Sequence, residues 1–164
     1  MSRAFVKETD AETIELPERP VSEHPNFVTA EGLTAIERER DRYAAAYADA
    51  LQQGDKAAIA AAQRELRYWT ARRTSAQLIA SPNRSEPGRR AGVAIAEAVH
   101  FGATVTVRRD DGRTQRFRIV GEDEAEPSRG TLSHVSPLAR ALFGKTVGDV
   151  ANVAGGTAEI LKIE

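Results

Sequence analysis

The sequence predicts an α+β protein, with an N-terminal antiparallel coiled-coil helical hairpin over residues 29–79 followed by a small antiparallel β-sheet domain with one short helix over residues 99–164. Three observations carry this expectation. Between Thr29 and Ile79, apolar and aromatic residues recur at spacings of three and four, which places them on one stripe of a helix. Gln53-Gly54-Asp55 interrupts that stripe with turn chemistry. From Phe101 the pattern changes to alternation punctuated by Asp-Gly and Gly-Gly turns, the pattern of hairpin strands.

Residues 1–28 hold Pro17, Pro20 and Pro25 among many charges. Prolines remove backbone donors and push the preceding residue out of helix, and apolar residues are sparse here. The expectation is an extended, mobile arm in which Phe5 and Val6 are the only obvious docking residues. Thr29 is then the N-cap of the first helix, because its hydroxyl can accept a hydrogen bond from a free N–H of the first turn.

The first arm of the hairpin carries Leu33, Ile36, Arg40, Tyr43, Tyr47 and Ala50 on one stripe. The second carries Ile59, Ala62, Leu66, Trp69, Arg73 and Ala76. Two such stripes joined by a short turn pack as an antiparallel pair. At about 22 residues per arm and 1.5 Å per residue, the rod projects roughly 30 Å. Alanine dominates the half near the turn, favouring helix but burying little area. Gly54 suits a left-handed helix end, and Asp55 suits the cap of the second helix. Folding the arms about Gly54 sets Arg40 near Trp69, which predicts a guanidinium over the indole. Tyr43, Tyr47, Tyr68 and Trp69 read as packing residues of the hairpin rather than a base-stacking surface. Asp55 and Asp49 are poorly placed as a metal-binding pair, with Lys56 beside the first and no second acid in the following turn.

Residues 80–98 read as a linker, with Pro82, Pro87 and Gly88 among serines and arginines. Val93 to Val99 suits either a short edge strand or a helical turn. Strands follow at Ala103–Val107 and Thr114–Val120, joined by Asp110-Asp111-Gly112, with Phe117 and Ile119 on one face and Arg116 and Arg118 on the other. Glu122 to Glu126 forms an acidic loop, read as a solvated turn in preference to a metal site. A third strand covers Gly130–Val135, and Ser136-Pro137 opens a short helix that stops before Gly144. A last hairpin joins Val150–Val153 to Ala158–Ile163 over Gly155-Gly156.

Composition limits the functions. The 23 basic and 24 acidic residues leave a net charge of -1, giving no electrostatic case for direct nucleic-acid binding. There is no cysteine, so disulfide and thiolate chemistry are excluded. No apolar run approaches the ~20 residues that span a bilayer, and the N-terminus has no apolar core of a secretory signal. A cytoplasmic protein with no membrane attachment is expected. The histidines at 24, 100 and 134 lack metal-ligand spacing. No phosphate-cradling glycine motif or nucleophile–base pair is present, so no enzymatic centre is expected.

The second domain carries a more specific signal. Phe101-Gly102-Ala103-Thr104-Val105-Thr106-Val107, then Arg118-Ile119-Val120-Gly121-Glu122-Asp123-Glu124-Ala125, then Ser136 to Lys145 and Val147-Gly148-Asp149-Val150, together resemble the C-terminal domain of the GreA/GreB family of bacterial transcription elongation factors. With the hairpin, the resemblance covers roughly residues 29–164; the opening Ser2-Arg3-Ala4-Phe5-Val6-Lys7 resembles the N-terminal arm of a Gre-like subgroup.

The resemblance implies an FKBP-like fold for the second domain and an accessory, non-enzymatic role. The partner would be RNA polymerase core, gripped at the rim of its secondary channel, with nucleic acid met only through the transcription complex. In that family two acids at the hairpin tip help hold a Mg²⁺ in the polymerase active site, which cleaves backtracked RNA. No cofactor of the chain's own is implied; the Mg²⁺ would be shared with the polymerase. Here Gly54-Asp55 matches the tip, but Ala58 stands where the family has its glutamate. Each arm is also shorter by about three turns, or ~15 Å at 5.4 Å per turn. The polymerase-docking loop falls on Ser133, Val135 and Pro137, with Val135 where some members carry an acid. The expectation is a monomeric elongation regulator with weak or no stimulation of transcript cleavage. The alternatives are an active cleavage factor using Asp55, or an interaction adaptor outside transcription.

Overall fold

The computed structural model describes residues 16–80 and 98–164. The hairpin consists of α1 (Ala30–Gln53) and α2 (Lys56–Ser75). Two short strands bracket it: β1 (Phe27–Val28) leads into α1, and β2 (Gln77–Leu78) leaves α2. They pair in parallel, Phe27 with Gln77 and Val28 with Leu78. The sheet domain follows as β3 (Thr104–Arg109), β4 (Thr114–Val120), β5 (Thr131–Ser133), α3 (Pro137–Leu142), β6 (Val150–Val153) and β7 (Gly156–Ile163).

The stripes inferred from spacing are the packed faces. Ile36, Ala50 and Ala62 are buried, and the other members of both stripes are half-buried. Between residues 41 and 49 only Tyr43 and Tyr47 lose much of their exposure, so the alanine-rich outer half is held mainly by helix propensity. The arms are cross-linked nearer the base by Arg73, whose Nε donates to Glu37 Oε1 at 2.7 Å.

The sheet order is β5-β4-β3-β7-β6. Val105, Val107, Ile119, Ala158 and Ile160 face α3, which buries Ala139 and Leu142 against them. Ser136 caps α3, accepting from Ala139 N at 3.2 Å, with Pro137 at the first helical position as expected. The α+β class holds, but the sheet is mixed and not wholly antiparallel: β5 runs parallel to β4, Ile119 beside Leu132. Residues 121–130 carry the chain back along the sheet in two 3₁₀ turns, Glu122–Glu124 and Pro127–Arg129, so that β5 starts from the same end as β4. Alternation of side chains encodes which face a residue takes, not which way its strand runs.

Two further expectations are corrected. The arm is not free over residues 16–28. Beyond the pairing of β1, Arg19 Nη1 lies 2.8 Å from Glu65 Oε2, and Arg67 Nη2 lies 2.5 Å from Glu18 Oε1. Arg40 does not cover Trp69, because its guanidinium is bound by the adjacent Asp41 at 2.7 Å. Arg19 takes that place, 3.6 Å from the Tyr68 ring centre and 5.2 Å from that of Trp69. The expectations for residues 1–15, including Phe5 and Val6, and for most of the linker and Val93, lie outside the described residues. Among the described residues, no helix is long and apolar enough to cross a membrane.

Candidate functional site

Three places on the molecule carry polar chemistry: the hairpin tip, the loop before α3, and the junction between hairpin and sheet.

At the tip, Gly54 takes the left-handed conformation with φ 67°. Asp55 then caps α2, its Oδ1 accepting from Ala58 N at 3.0 Å. The carboxylate is exposed, and the backbone donor that it binds belongs to Ala58. Among the described residues, no group of three or more His, Asp or Glu side chains is arranged to hold a metal ion. A lone carboxylate already engaged as a cap does not fit a resident divalent cation, which takes several oxygen ligands.

The loop before α3 is on the sheet domain, at the opposite end of α1 from the tip. The 24 residues of α1 put the tip about 36 Å from the base. Ser133 and Val135 are half-buried and Pro137 is exposed. Ser133 Oγ accepts from Val135 N at 3.4 Å, which shapes the turn. The structure therefore keeps Asp55 and the residues Ser133, Val135 and Pro137 at separate ends, as two surfaces.

Between them lies a junction that spacing did not reveal. The acidic run is not a solvated turn: its first three carboxylates face the hairpin base. Thr29 Oγ1 donates to Glu124, 2.7 Å from Oε1 and 2.8 Å from Oε2, while capping α1 by accepting from Gly32 N at 3.0 Å. Tyr68 OH donates to Asp123 Oδ1, and Arg72 Nε donates to Asp123 Oδ2. Arg72 Nη2 lies 3.7 Å from Glu122 Oε2. Tyr68 and Arg72 are four apart on α2, one above the other, so a single carboxylate spans both. Arg72 is only 1% exposed. Burial, the Asp123 hydrogen bond and the Asp123 charge push the Tyr68 hydroxyl up to about 12.

The strand ahead of α1 closes the junction. Asn26 Nδ2 donates to Arg72 O at 2.7 Å and to Ser75 Oγ at 3.1 Å. Phe27 packs on Phe101 and His134 of the sheet domain, with ring centres 6.0 and 5.3 Å away. His134 is 8% exposed, and among the described residues neither ring nitrogen has a hydrogen-bond partner. Burial holds its pKa below the ordinary value, opposed in part by the Glu122 carboxylate. Gly121 allows the two parts to meet: a Cβ there would stand 2.5 Å from Phe27 O. The one sequence signal for this junction was an acidic triplet facing a helix with arginines, but Arg64, Arg67, Arg72 and Arg73 were equally eligible.

Comparison with known proteins fixes the family. Residues 94–164 match the family described as "Transcription elongation factor, GreA/GreB, C-term". The chain is 32% identical over 159 residues to the transcription elongation factor GreB of Neisseria meningitidis, covering 85% of this chain and 92% of that protein. The chain belongs to the GreA/GreB family. Its identity to the GreB of Haemophilus influenzae is 31% over 146 residues, covering 78% of this chain and 86% of the relative. To the GreA of Hyphomonas neptunium it is 54% over 57 residues, covering 34% of this chain and 36% of that protein. Among solved structures, GreA factor homolog 1 of Thermus thermophilus is 20% identical, with a TM-score of 0.39, over 86% of this chain and 99% of that one. The family resemblance noted in the sequence is thus established, and with it a Gre-type transcription elongation factor.

Proposed function

We propose that this Gre-family protein binds RNA polymerase core at its secondary channel as a monomer in the cytoplasm, and modulates elongation without strongly stimulating transcript cleavage. It acts as an accessory factor and holds no reaction centre of its own. The observation that carries this reading is the tip: one exposed carboxylate, Asp55, engaged as a cap by the N–H of Ala58, on arms of 24 and 20 residues. A polymerase-bound Mg²⁺ would gain at most a single ligand there, so no cleavage step is assigned to it. The exposed Pro137 and the half-buried Ser133 and Val135 suit a docking loop, which the sheet domain holds in place through the Ser136 cap.

The test uses purified core polymerase and stalled, backtracked elongation complexes. Expected are direct binding, strengthened by Val135→Asp because the variant supplies the acid that some family members carry there, and a changed elongation rate with little RNA cleavage. Cleavage at the rate of a longer-armed GreA or GreB, abolished by Asp55→Asn, would favour the active cleavage factor instead. Asparagine caps a helix about as well as aspartate, so this variant removes the charge and leaves the turn intact. No binding to core polymerase would move the reading to an adaptor outside transcription.

A further inference from the structure

We infer that the 3₁₀ turn Glu122–Glu124 is a positioning device, which fixes the direction in which the hairpin points from the sheet domain. The inference rests on the proposed polymerase role for its functional meaning, and on the junction geometry for its substance. At the end of a rod about 36 Å long, a tilt of 10° at the base displaces the tip by roughly 6 Å. A probe entering a channel therefore needs its angle set near its root.

The turn is built to do this. Three consecutive carboxylates reach both arms: Glu124 holds Thr29 at the start of α1, Asp123 holds Tyr68 and Arg72 late in α2, and Glu122 lies beside Arg72. Contacts on both arms resist tilt and rotation together. They are hydrogen bonds and an ion pair, which constrain angle as well as distance, whereas apolar burial is non-directional. The turn itself is anchored, since it follows directly from Val120, a fully buried residue of β4. Arg19 covers the ring of Tyr68, and Gly121 lets the turn approach the strand before α1. Glu122, Asp123 and Glu124 are thus positioning residues.

The chain has no cysteine, so spin labels can be attached cleanly to Lys56→Cys at the tip and Gln115→Cys on β4. Pulsed electron–electron resonance then gives the distance distribution across the junction. A single narrow peak is expected in the parent. Asp123→Ala with Glu124→Ala should at least double its width, with helical content retained, and the isosteric Asp123→Asn with Glu124→Gln should restore much of the narrowing. Should the alanine pair fail to fold, Thr29→Asp gives the same reading from the other side. Aspartate keeps the helix cap but sets a like charge against Glu124. For polymerase, the broadened variants should bind core within about twofold of the parent yet lose most of the effect on elongation. An unchanged distribution in these variants overturns the inference. Broadening with an undiminished elongation effect overturns the positioning role. If the parent does not bind polymerase at all, the proposed function fails, and the distance distributions still decide whether the turn sets the hairpin.

Discussion

Replacing Arg72 by methionine removes the guanidinium and keeps most of the volume of its stem. The Arg72 side chain is 1% exposed and that of its partner Asp123 is 9% exposed. In the variant, Asp123 keeps the Tyr68 hydroxyl but loses the one cation that bonds it among the described residues. Breaking a buried pair by removing one partner costs about 3–5 kcal/mol, mostly because the remaining charge is left uncompensated. That range is the expected loss for Arg72→Met. Urea unfolding followed through Trp69, the single tryptophan, reads the loss directly, since the indole sits on α2 within the same packed base. The reasoning makes a second demand. Adding Asp123→Asn to Arg72→Met removes the orphaned charge, so the double variant should be more stable than Arg72→Met alone by about 1–2 kcal/mol. A loss below 1 kcal/mol for Arg72→Met, or strictly additive effects in the cycle, would refute the account of Asp123 as a buried carboxylate dependent on Arg72.

Other outcomes follow from neighbouring residues. Tyr68 retains its proton to about 12 in the folded chain against 10 unfolded; the folded state then binds more protons between these values, so stability falls as pH rises through that window. After allowance for partial solvent screening the loss is about 1–2 kcal/mol, and Tyr68→Phe should remove this alkaline component from pH-dependent unfolding. His134 has the opposite sense. Its folded pKa lies below the unfolded value, so its contribution is constant above about pH 6.5 and stability drops as pH falls below it; His134→Leu should flatten that acid slope, measured by thermal melts from pH 7 to 5. Asp55→Ala should cost the hairpin about 1 kcal/mol while Asp55→Asn costs almost nothing, read by urea unfolding. Gly121→Ala should destabilise the junction by 1 kcal/mol or more, because the new methyl meets a backbone carbonyl that cannot rotate away; a neutral result in the same assay would place Phe27 elsewhere.

The sequence made the hairpin legible because every relevant contact there is periodic. Ile36, Ala50 and Ala62 are buried where their spacing put them, and Gly54, Asp55 and Ser136 act through local rules spanning only a few residues. The junction was opaque for the converse reason. Thr29 and Glu124 are 95 residues apart, Arg72 and Asp123 are 51 apart, and neither pair belongs to a repeating pattern. The same holds for Arg19, which lies over Tyr68 and beside Trp69, the indole that register assigned to Arg40. Charge complementarity between the acidic run and the arginines of α2 could name residue types but not partners. The direction of β5 was hidden because residues 121–130 look like an ordinary polar loop, and only their two tight turns reverse the path. At the tip, the sequence located Asp55 as a helix cap, and the structure adds that its carboxylate is occupied by the backbone N–H of Ala58.

The parallel pairing of β1 with β2 has a consequence for how such a molecule can vary. These strands stand at the entrance and exit of the hairpin, with Gln77 N donating to Asn26 O at 2.8 Å and Ile79 N to Val28 O at 3.0 Å. The helical excursion between them is therefore closed at its root, like a drawer whose runners are fixed to the cabinet. Matched insertions of one heptad into each arm near Gly54 would lengthen the reach by about 10 Å and keep the seam in phase. None of the residues that meet the sheet domain would change. Reach and aim are thus separable properties of this architecture, one set by the number of turns beyond Tyr43 and the other by a fixed handful of side chains at the root.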